Sequence, residues 1–221
     1  MFDFLDGYDL LGAFWVTVQL TVYSALGSLI WGTLLAGMKV SPVPLMRGFA
    51  TGYVNVVRNI PLTVIILFSS LGLFSTLGVK LGGDGFTSIN FRLAVLALSA
   101  YTAAFVCEAL RSGINTVPVG QAEAARALGL SFTQVLRLII LPQAFRSVVN
   151  PLSNVLIALT KNTTVASAIG VAEASYLMKG MIEKEAQLIL ISAVFAFGFI
   201  VLTLPTGLVL GWVSKKVAVK R

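Results

Sequence analysis

Residues 120–129 of this chain read GQAEAARALG, and residues 140–142, a short distance later, read ILP. The first stretch is the longest polar-flanked segment in a chain whose other long segments are strongly apolar. Alanine is the best helix former, and glycine commonly ends a helix because it adopts the left-handed conformation without strain. The stretch therefore predicts a short helix that stops at Gly129.

The residues around this stretch carry further helix signals. Pro118 suits a first helical position, because its missing N–H would be unpaired there. Glu123 is expected in the first turn, where its charge favours the helix dipole, with Arg126 one turn further on. Residues 131–134, SFTQ, match a capping box, and the helix that it opens is expected to end before Pro142. We therefore predict two short helices joined at a glycine corner.

The predicted corner has the composition of a docking surface. Small side chains would let a partner approach closely, and larger apolar side chains would supply contact area. The alternative is a compact loop that packs only on its own neighbouring helices. The small residues are Ala122, Ala125 and Ala127, and the apolar ones are Leu128, Val135, Leu138 and Ile139.

The overall composition indicates a membrane protein. Of the 221 residues, 57% are hydrophobic and only 11% are charged, and the mean hydropathy is +0.92. Soluble domains are roughly a quarter charged. The net charge of +7 would suit nucleic acid in a soluble protein, but basic residues at the cytoplasmic ends of membrane spans explain it here. We therefore expect membrane lipid, and no nucleic acid, as a partner.

The cysteine and histidine content excludes several classes of site. The chain has one cysteine, Cys107, and no histidine. An internal disulfide, a zinc site and a Cys–His or Ser–His catalytic arrangement are therefore excluded, and Cys107 is expected to be a small packing residue. Residues 1–6, MFDFLD, are acidic where a secretory signal would be basic, so no cleaved leader is expected.

Five apolar segments are long enough to cross a bilayer, which takes about 20 helical residues. In the first segment, Gly27, Gly32 and Gly37 suit close helix packing. A polar-flanked connection at 112–146 contains the predicted corner. The predicted fold class is therefore all-α: one polytopic transmembrane domain over residues 1–221. The five spans are predicted at about 10–38, 48–79, 91–111, 147–172 and 186–214.

Lysine and arginine counts in alternate connections set the expected orientation, because cytoplasmic connections are enriched in both. The richer side is predicted to be cytoplasmic, with the N-terminus outside and the C-terminus inside. The corner then lies in the cytoplasm, a charged loop at 173–185 lies outside, and the basic tail at 215–221 is an inner anchor. The richer side holds Lys39, Arg47, Arg111, Arg126, Arg137, Arg146, Lys215, Lys216, Lys220 and Arg221, and the poorer side holds Lys80, Arg92, Lys179 and Lys184.

Three ionisable residues, Arg58, Glu108 and Lys161, fall inside the predicted spans, where charge is costly and marks a functional candidate. Polar runs at 58–61 (RNIP) and 161–164 (KNTT) would let the helix break or line a wet cavity. The alternative is an interhelical ion pair that joins Glu108 to Arg58 or Lys161. With two cations against one anion, a cavity built by these residues would suit an anionic substrate.

The corner resembles the EAA loop of permease subunits of ATP-binding-cassette (ABC) importers. That pattern is EAA, three residues, G, nine residues and then I-x-L-P; here EAA is 123–125, Gly129 falls at the right spacing, and IILP is 139–142. The motifs VPVGQ, RNIP and KNTT, together with AY before the loop, are similar to those of polar amino-acid permeases. These motifs cover most of the chain from residue 53 to 175.

The resemblance implies a permease subunit of an ATP-driven importer for a polar amino acid, which works by alternating access in a bacterial cytoplasmic membrane. The charge count favours an acidic amino acid, glutamate or aspartate. ATP and Mg²⁺ would bind to two partner ATPase subunits and no cofactor directly to this chain, which has no G-x-x-x-x-G-K-[ST] motif. The other implied partners are an extracytoplasmic solute-binding protein and a second permease subunit, in a homodimer or, preferably, a heterodimer.

Two sets of site residues follow, and neither is catalytic or metal-binding. The resemblance assigns one set to ATPase coupling, and the intramembrane charges indicate another that lines the substrate pathway. The coupling set is Gly120, Gln121, Glu123, Ala124, Ala125, Arg126, Leu128, Gly129, Leu141 and Pro142. The pathway set is Arg58, Asn59, Pro61, Glu108, Lys161, Asn162, Thr163 and Thr164.

Two other functions stay open on the sequence. A secondary transporter or channel would also place charges in the membrane, although it would normally show internal repeats, and the sequence has none. A membrane scaffold would explain the spans but not a lysine at position 161 inside one of them. An importer of a basic or neutral polar amino acid is the alternative within the same class.

Overall fold

The computed structural model describes residues 7–82 and 85–217, and these residues form helices without a β-strand. The all-α fold class is therefore confirmed. The acidic start at 1–6, Asp84 and the last residues of the basic tail, 218–221, lie outside the described residues. The α-helices are α1 (Leu10–Val40), α2 (Pro44–Asn59), α3 (Leu62–Leu67), α4 (Phe86–Ile114), α5 (Val119–Ala127), α6 (Phe132–Val135), α7 (Leu141–Asn162), α8 (Ala174–Glu185) and α9 (Leu188–Val217). A π-helical segment follows α3 (Phe68–Thr76) and another follows α6 (Leu136–Ile140), and a 3₁₀ segment follows α7 (Thr163–Ile169).

Glycines let α1 pack closely on α4. A Cβ atom added at Gly32 would lie 2.6 Å from Val106 Cβ, and one added at Gly27 would lie 2.5 Å from Ser99 Oγ. Real atoms do not approach this closely, so a larger residue would push the two helices apart. The prediction of close packing is confirmed at Gly27 and Gly32 but is wrong at Gly37, where nothing lies within 4 Å of an added Cβ.

The described residues contain three helices that are long and apolar enough to cross a membrane, namely α1, α4 and α9 over Leu188–Val209. Two bent helix pairs raise the possible number of spans to five. In the first pair α2 meets Leu62–Thr76 at 103°, and in the second Phe132–Ile169 meets α8 at 56°. The predicted number of five spans is therefore the upper end of the range that the structure allows.

The break predicted in the second span is present. The chain leaves α2 at Ile60, and the Pro61 carbonyl accepts the N–H groups of Val64 and Ile65 as α3 begins. Because proline has no N–H and disfavours a helical conformation in the residue before it, the helix cannot run through this point. The segment predicted at 48–79 is therefore two helices at a steep angle rather than one straight span.

The segment after the fourth predicted span is helical, which corrects the charged loop expected at 173–185. The carboxylate of Glu173 accepts the N–H groups of Ser175 and Tyr176, both at 2.9 Å. These bonds satisfy donors that the first turn of a helix leaves unpaired. Glu173 is 0% exposed, so its carboxylate lies inside the fold and starts α8 there.

Candidate functional site

The predicted glycine corner is present at the end of α5. The Leu130 N–H bonds the Ala125 carbonyl at 3.2 Å, and the Gly129 N–H bonds the Arg126 carbonyl at 2.9 Å. Gly129 has a φ of +86°, the left-handed conformation that this type of helix end requires. Gly129 therefore ends α5, as predicted.

The start of α5 differs from the prediction in two details. Pro118 precedes the helix and is not its first residue. Glu123 lies beyond the first turn, which holds no acidic residue, so its charge is not placed to favour the helix dipole. Glu123 is instead an exposed carboxylate on the middle of α5.

The second predicted helix begins as expected but does not end as expected. Gln134 Oε1 accepts the Ser131 N–H at 2.8 Å, and Ser131 Oγ accepts the Gln134 N–H at 3.4 Å, which confirms the capping box. α6 then continues through the π-helical turn directly into α7, so the prediction that it ends before Pro142 is wrong. Pro142 lies at the start of α7, directly after the π-helical turn, so the helical chain runs through the proline.

The corner exposes a narrower apolar surface than predicted. Leu128 is 84% exposed and Leu138 is 60% exposed. Ala125 and Val135 are buried instead, because α5 packs against α6 and the π-helical turn that follows it. Two of the residues predicted to face a partner are therefore covered by the chain itself.

A shallow groove of about 410 Å³ lies between α5 and the beginning of α7. Gln143 Nε2 donates to Gln121 Oε1 at 2.6 Å across this groove, and this bond ties α5 to α7. The coupling candidates that line the groove are Gln121, Ala124, Ala125, Leu128 and Pro142. The remaining candidates, Gly120, Glu123, Arg126, Gly129 and Leu141, are exposed on or beside the corner.

A polar cavity of about 350 Å³ lies at the same end of the helix bundle as the corner. It opens between α2 and the C-terminal ends of α1 and α4. Two of the predicted pathway residues, Arg58 and Glu108, are brought together here. The side chains that line the cavity are all polar or charged: Lys39, Arg47, Thr51, Asn55, Arg58, Glu108 and Arg111.

Glu108 pairs with cations other than those expected. Its Oε1 accepts a hydrogen bond from the ammonium group of Lys39, and its Oε2 lies 3.7 Å from Arg111 Nη1. The Lys39 side chain is 8% exposed and the Glu108 side chain 28%. The Arg58 guanidinium lies instead over the ring of Phe105, 5.6 Å from its centroid. The suggested ion pair between Glu108 and Arg58 is therefore wrong.

Lys161 lies in a different part of the bundle, near the end of α7. A Cβ added at Gly113 would lie 3.0 Å from the Ala144 carbonyl oxygen, so α4 ends beside the start of α7. From 144 to 161 the helix advances 17 residues, or about 25 Å at 1.5 Å per residue. Lys161 therefore does not pair with Glu108, and the single cavity expected for these charges is divided between two levels of the bundle.

The polar run after Lys161 bonds to its own backbone. Thr163 Oγ1 donates to the Thr160 carbonyl at 2.7 Å, and Thr164 Oγ1 donates to the Lys161 carbonyl at 2.8 Å. The α-helix ends at Asn162 and tightens into the 3₁₀ segment, and the bend of 56° follows only after Ile169, so the break predicted at 161–164 is a change of helix type. Lys161 itself is exposed and Thr163 is buried.

Sequence reasoning does not identify most residues of the polar cavity. Arg47, Thr51, Asn55 and Arg58 recur at intervals of three or four residues along α2, which places them on one face of the helix. This polar stripe on a mostly apolar helix is the signal that the sequence contains. It predicts the lining of the cavity once α2 is treated as a separate helix.

The chemistry of the cavity suits the binding of an anion rather than catalysis. Arginine and lysine side chains dominate its lining, and they act as hydrogen-bond donors with a fixed positive charge. Across residues 7–82 and 85–217, no group of three or more histidine, cysteine, aspartate or glutamate residues lies close enough to hold a metal ion. The arrangement therefore offers electrostatic attraction and hydrogen bonds to a ligand.

Relatives of known name match nearly the whole chain. The glutamate transport system permease protein GluC of Corynebacterium efficiens is 59% identical, and the match covers 97% of this chain and 96% of that protein. The glutamate/aspartate import permease protein GltK of Escherichia coli O6:H1 is 32% identical, with 92% of this chain and 91% of that protein covered.

A solved structure and a protein-family match point to the same kind of protein as these relatives. The crystal structure of an amino acid ABC transporter with histidines contains a chain that superposes with a TM-score of 0.83 at 27% identity, over 94% of this chain and 93% of that chain. Residues 28–219 match the family described as "Binding-protein-dependent transport system inner membrane component". The protein therefore belongs to the inner membrane components of binding-protein-dependent transport systems, the multi-pass ABC permeases of the cytoplasmic membrane.

Proposed function

We propose that this chain is a permease subunit of an ATP-driven importer for an acidic amino acid, with glutamate as the substrate. The observation that carries the substrate class is the polar cavity, where Lys39, Arg47, Arg58 and Arg111 surround a single carboxylate. Such an excess of cations attracts a ligand with a net negative charge. The names of the relatives from C. efficiens and E. coli support glutamate.

The proposed topology has five spans, with the N-terminus outside and the C-terminus in the cytoplasm. The distribution of charge supports it, since the end of the bundle that carries the corner also carries Lys39, Arg47 and Arg111. In this topology α5 and α6 lie on the cytoplasmic side, within reach of a soluble subunit. The two bent helix pairs each count as one span.

In this function the corner at the end of α5 transmits the motion of an ATPase subunit to the membrane helices. The direct continuation of α6 into α7 supports this role, because a displacement of α6 is carried into α7 without an intervening loop. ATP and Mg²⁺ bind to the ATPase, and this chain binds no cofactor of its own. The proposed coupling residues are Gly120, Gln121, Glu123, Ala124, Ala125, Arg126, Leu128, Gly129, Leu141 and Pro142.

The remaining partners complete the pathway. A second permease subunit, preferably a different chain, forms the other half of the translocation pathway, and an extracytoplasmic solute-binding protein delivers the substrate. The pathway opens alternately to the two sides of the membrane. Its proposed lining includes Arg58, Asn59, Pro61 and Glu108 at one level, and Lys161, Asn162, Thr163 and Thr164 at the other.

A charge reversal at Glu123 tests the coupling role. Because Glu123 is exposed on α5, Glu123→Arg is expected to leave membrane insertion intact while it abolishes co-purification of the ATPase and glutamate uptake. The matched control is Glu183→Arg, at an exposed position of α8, which should retain both. Normal uptake by the Glu123 variant would contradict the assignment.

Competition in the same uptake assay tests the substrate. Unlabelled glutamate and aspartate are expected to displace labelled glutamate, while arginine and histidine are not. A preference for arginine or histidine would overturn the proposed substrate class. Uptake that persists without ATP would overturn the assignment to an ATP-driven importer.

A further inference from the structure

An apolar groove lies between the C-terminal ends of α1 and α4 and the first half of α7. Its volume is about 340 Å³, and it shares no lining residue with the polar cavity. Its lining is apolar except for the Thr33 hydroxyl, and Phe145 on its rim is 67% exposed. Since apolar surface is costly to leave in contact with water, the groove requires an apolar neighbour.

The groove continues the exposed apolar face of α1. Leu26, Ile30 and Leu34 are each more than half exposed, and Gly37 in the groove lining follows Leu34 by three residues. Residues three or four apart lie on one face of a helix, so this face leads directly into the groove. In a membrane protein, such a face is as apolar as the lipid tails around it.

The length of the groove matches one leaflet of a bilayer. The wall that α7 contributes runs from Leu141 to Leu152, 11 residues or about 16 Å along the helix axis. The hydrocarbon core of a bilayer is about 30 Å thick, so one leaflet takes up about 15 Å of it. The groove is therefore about as long as the acyl-chain region of a single leaflet.

The groove is too narrow for a helix of a partner protein. Its volume of about 340 Å³, spread over a length of about 16 Å, corresponds to a channel about 5 Å wide. A hydrocarbon chain fits such a channel, because its carbon atoms contact neighbouring carbons at about 3.5–4.0 Å. A helix with its side chains is about 10–12 Å across and does not fit.

A cation lies at the end of the groove where α7 begins. Arg137 follows Leu136, which lines the groove, and precedes Leu141 by four residues, or about one helical turn. The Arg137 side chain is exposed, and among the described residues no acidic oxygen lies within 4.0 Å of it. Because arginine binds phosphate oxygens in a bidentate manner, this end of the groove is complementary to an anionic lipid headgroup.

We propose that the groove binds an anionic phospholipid of the cytoplasmic leaflet. One acyl chain lies in the groove, the other lies on the exposed face of α1, and the phosphate pairs with Arg137. The site goes beyond the proposed function and takes from it only the topology that places this end of the bundle at the cytoplasmic leaflet. The lipid contacts Leu136 and Leu141, at the start of the π-helical turn and directly after it, so it lies beside the junction of α6 and α7.

Native mass spectrometry of the complete transporter tests the site, because it resolves the intact complex and each bound phospholipid by mass. The complex is held in a neutral detergent and titrated with dioleoyl phosphatidylglycerol or with dioleoyl phosphatidylcholine, which has the same acyl chains but no net charge. Phosphatidylglycerol is expected to bind about fivefold more tightly, as for one basic residue beside an anionic lipid. Glycerol 3-phosphate, which has the phosphate but no acyl chain, should not displace it.

Two variants separate the acyl chain from the headgroup. Gly37→Leu extends a side chain into the groove, where an added Cβ meets nothing within 4 Å, and should remove the tightest phospholipid site. Gly211→Leu on α9 is its control, since that position is equally open and lies outside the groove. Arg137→Gln should lower the affinity for phosphatidylglycerol about fivefold, and Arg146→Gln, at an exposed position outside the groove, should not.

Three results would overturn the lipid site. Gly37→Leu and Gly211→Leu could bind phosphatidylglycerol alike, or glycerol 3-phosphate could displace it. Loss of the second permease subunit from the Gly37→Leu complex would show instead that the groove is an interface between subunits.

The binding measurement is independent of transport, so the two proposals fail separately. A complex that binds phosphatidylglycerol as expected but shows no ATP-dependent glutamate uptake would overturn the proposed function and support the lipid site. Normal uptake without a preference for phosphatidylglycerol would overturn the lipid site and leave the proposed function standing.

Discussion

Two glutamates near opposite ends of α1 are held in different ways. Glu173 contacts Thr17 near the start of α1, and its carboxylate bonds to backbone N–H groups. Glu108 contacts Lys39 near the end of α1, and its carboxylate bonds to side-chain cations. The 22 residues from Thr17 to Lys39 correspond to about 33 Å along the helix.

The difference shows how one residue type is satisfied inside the fold at one end and lies among surplus cations at the other. Glu173 is fully buried, and the Thr17 hydroxyl that contacts it also accepts the Ala174 N–H at 3.1 Å, so every group there is occupied within the fold. Glu108 is only partly covered and has more cations nearby than it can neutralise. The surplus positive charge around Glu108 is therefore the part that the proposed function assigns to a ligand.

Removal of the Glu173 carboxylate should have the largest effect. Glu173→Ala leaves the buried N–H group of Ser175 and the partly buried N–H group of Tyr176 without their acceptor. Loss of a helix cap costs about 0.5–2 kcal/mol, and each unsatisfied buried donor costs about 1–3 kcal/mol. We expect the Tm of the purified complex to fall by roughly 5–15 °C, measured by the fraction of monodisperse protein that survives heating.

The matched control is Glu183→Ala, which removes an exposed carboxylate from the same helix. Its Tm should stay within about 2 °C of the parent value, as for most surface substitutions. Glu173→Gln keeps one acceptor oxygen, so its Tm should lie between those of Glu173→Ala and Glu183→Ala. If Glu173→Ala and Glu183→Ala have the same Tm, the carboxylate at the start of α8 does not stabilise the fold.

A double-mutant cycle on Lys39 and Glu108 should show a loss of stability intermediate between the effects at Glu173 and at the glycines. Glu108→Gln leaves the Lys39 ammonium, whose side chain is 8% exposed, without its counter-charge. We expect a coupling energy of about 1–2 kcal/mol between Glu108→Gln and Lys39→Met, because partners in direct contact do not act additively. Thermal unfolding of the two single variants and the double variant measures it.

The comparison cycle pairs Glu108→Gln with Arg111→Gln. Arg111 is 46% exposed and 3.7 Å from the carboxylate, so its coupling should be below about 0.5 kcal/mol, as for exposed ion pairs. Equal coupling in the two cycles would show that Glu108 is shared evenly among its cations. In that case Lys39 and Glu108 could not be treated as a neutral pair within the cavity.

The contrast between the two glutamates also separates what the sequence predicts from what it does not. Glu108 stands alone in an apolar segment. Because a charged side chain is costly inside a membrane, the sequence marks Glu108 as a functional candidate. Glu173 begins a segment with several charges, and glutamate is not among the favoured capping residues. The sequence therefore indicates a solvated loop there, and only the contact with Thr17 across the fold shows that α8 begins inside the bundle.

Local chemistry predicts local structure well in this chain. The apolar segments, the glycine corner at Gly129 and the capping box at Ser131 follow from residue types and short spacings. The stop expected at Pro142 fails because the helical chain runs through the proline after a π-helical turn at Leu136–Ile140. The grouping of Arg58 with Lys161 fails for another reason: their separation depends on where helices cross, which the spacing along one chain does not determine.

Two left-handed glycines offer the smallest and most local test of this contrast, one at the corner after α5 and one three residues before Glu173. Gly129 has a φ of +86° at the corner after α5, and Gly170 has a φ of +76° just before Glu173. A Cβ at Gly129 would meet nothing within 4 Å, and one at Gly170 would lie 3.5 Å from the Phe86 ring. Because neither position is crowded, the effect of Gly→Ala should come from backbone strain alone.

We expect Gly129→Ala and Gly170→Ala each to lose about 1 kcal/mol, since alanine is strained at positive φ, and to lower the Tm by about 2–4 °C. Asparagine tolerates this conformation better, so Gly→Asn should recover part of the loss at either site. Gly120→Ala is the control because its φ is not positive and its surroundings are open; its Tm should not fall. Glutamate uptake per folded complex then separates the two ends, because only the Gly129 variant alters the corner that we propose an ATPase contacts. A loss of uptake in Gly170→Ala as large as that in Gly129→Ala would mean that the end of the bundle near Glu173 serves transport as well as structure.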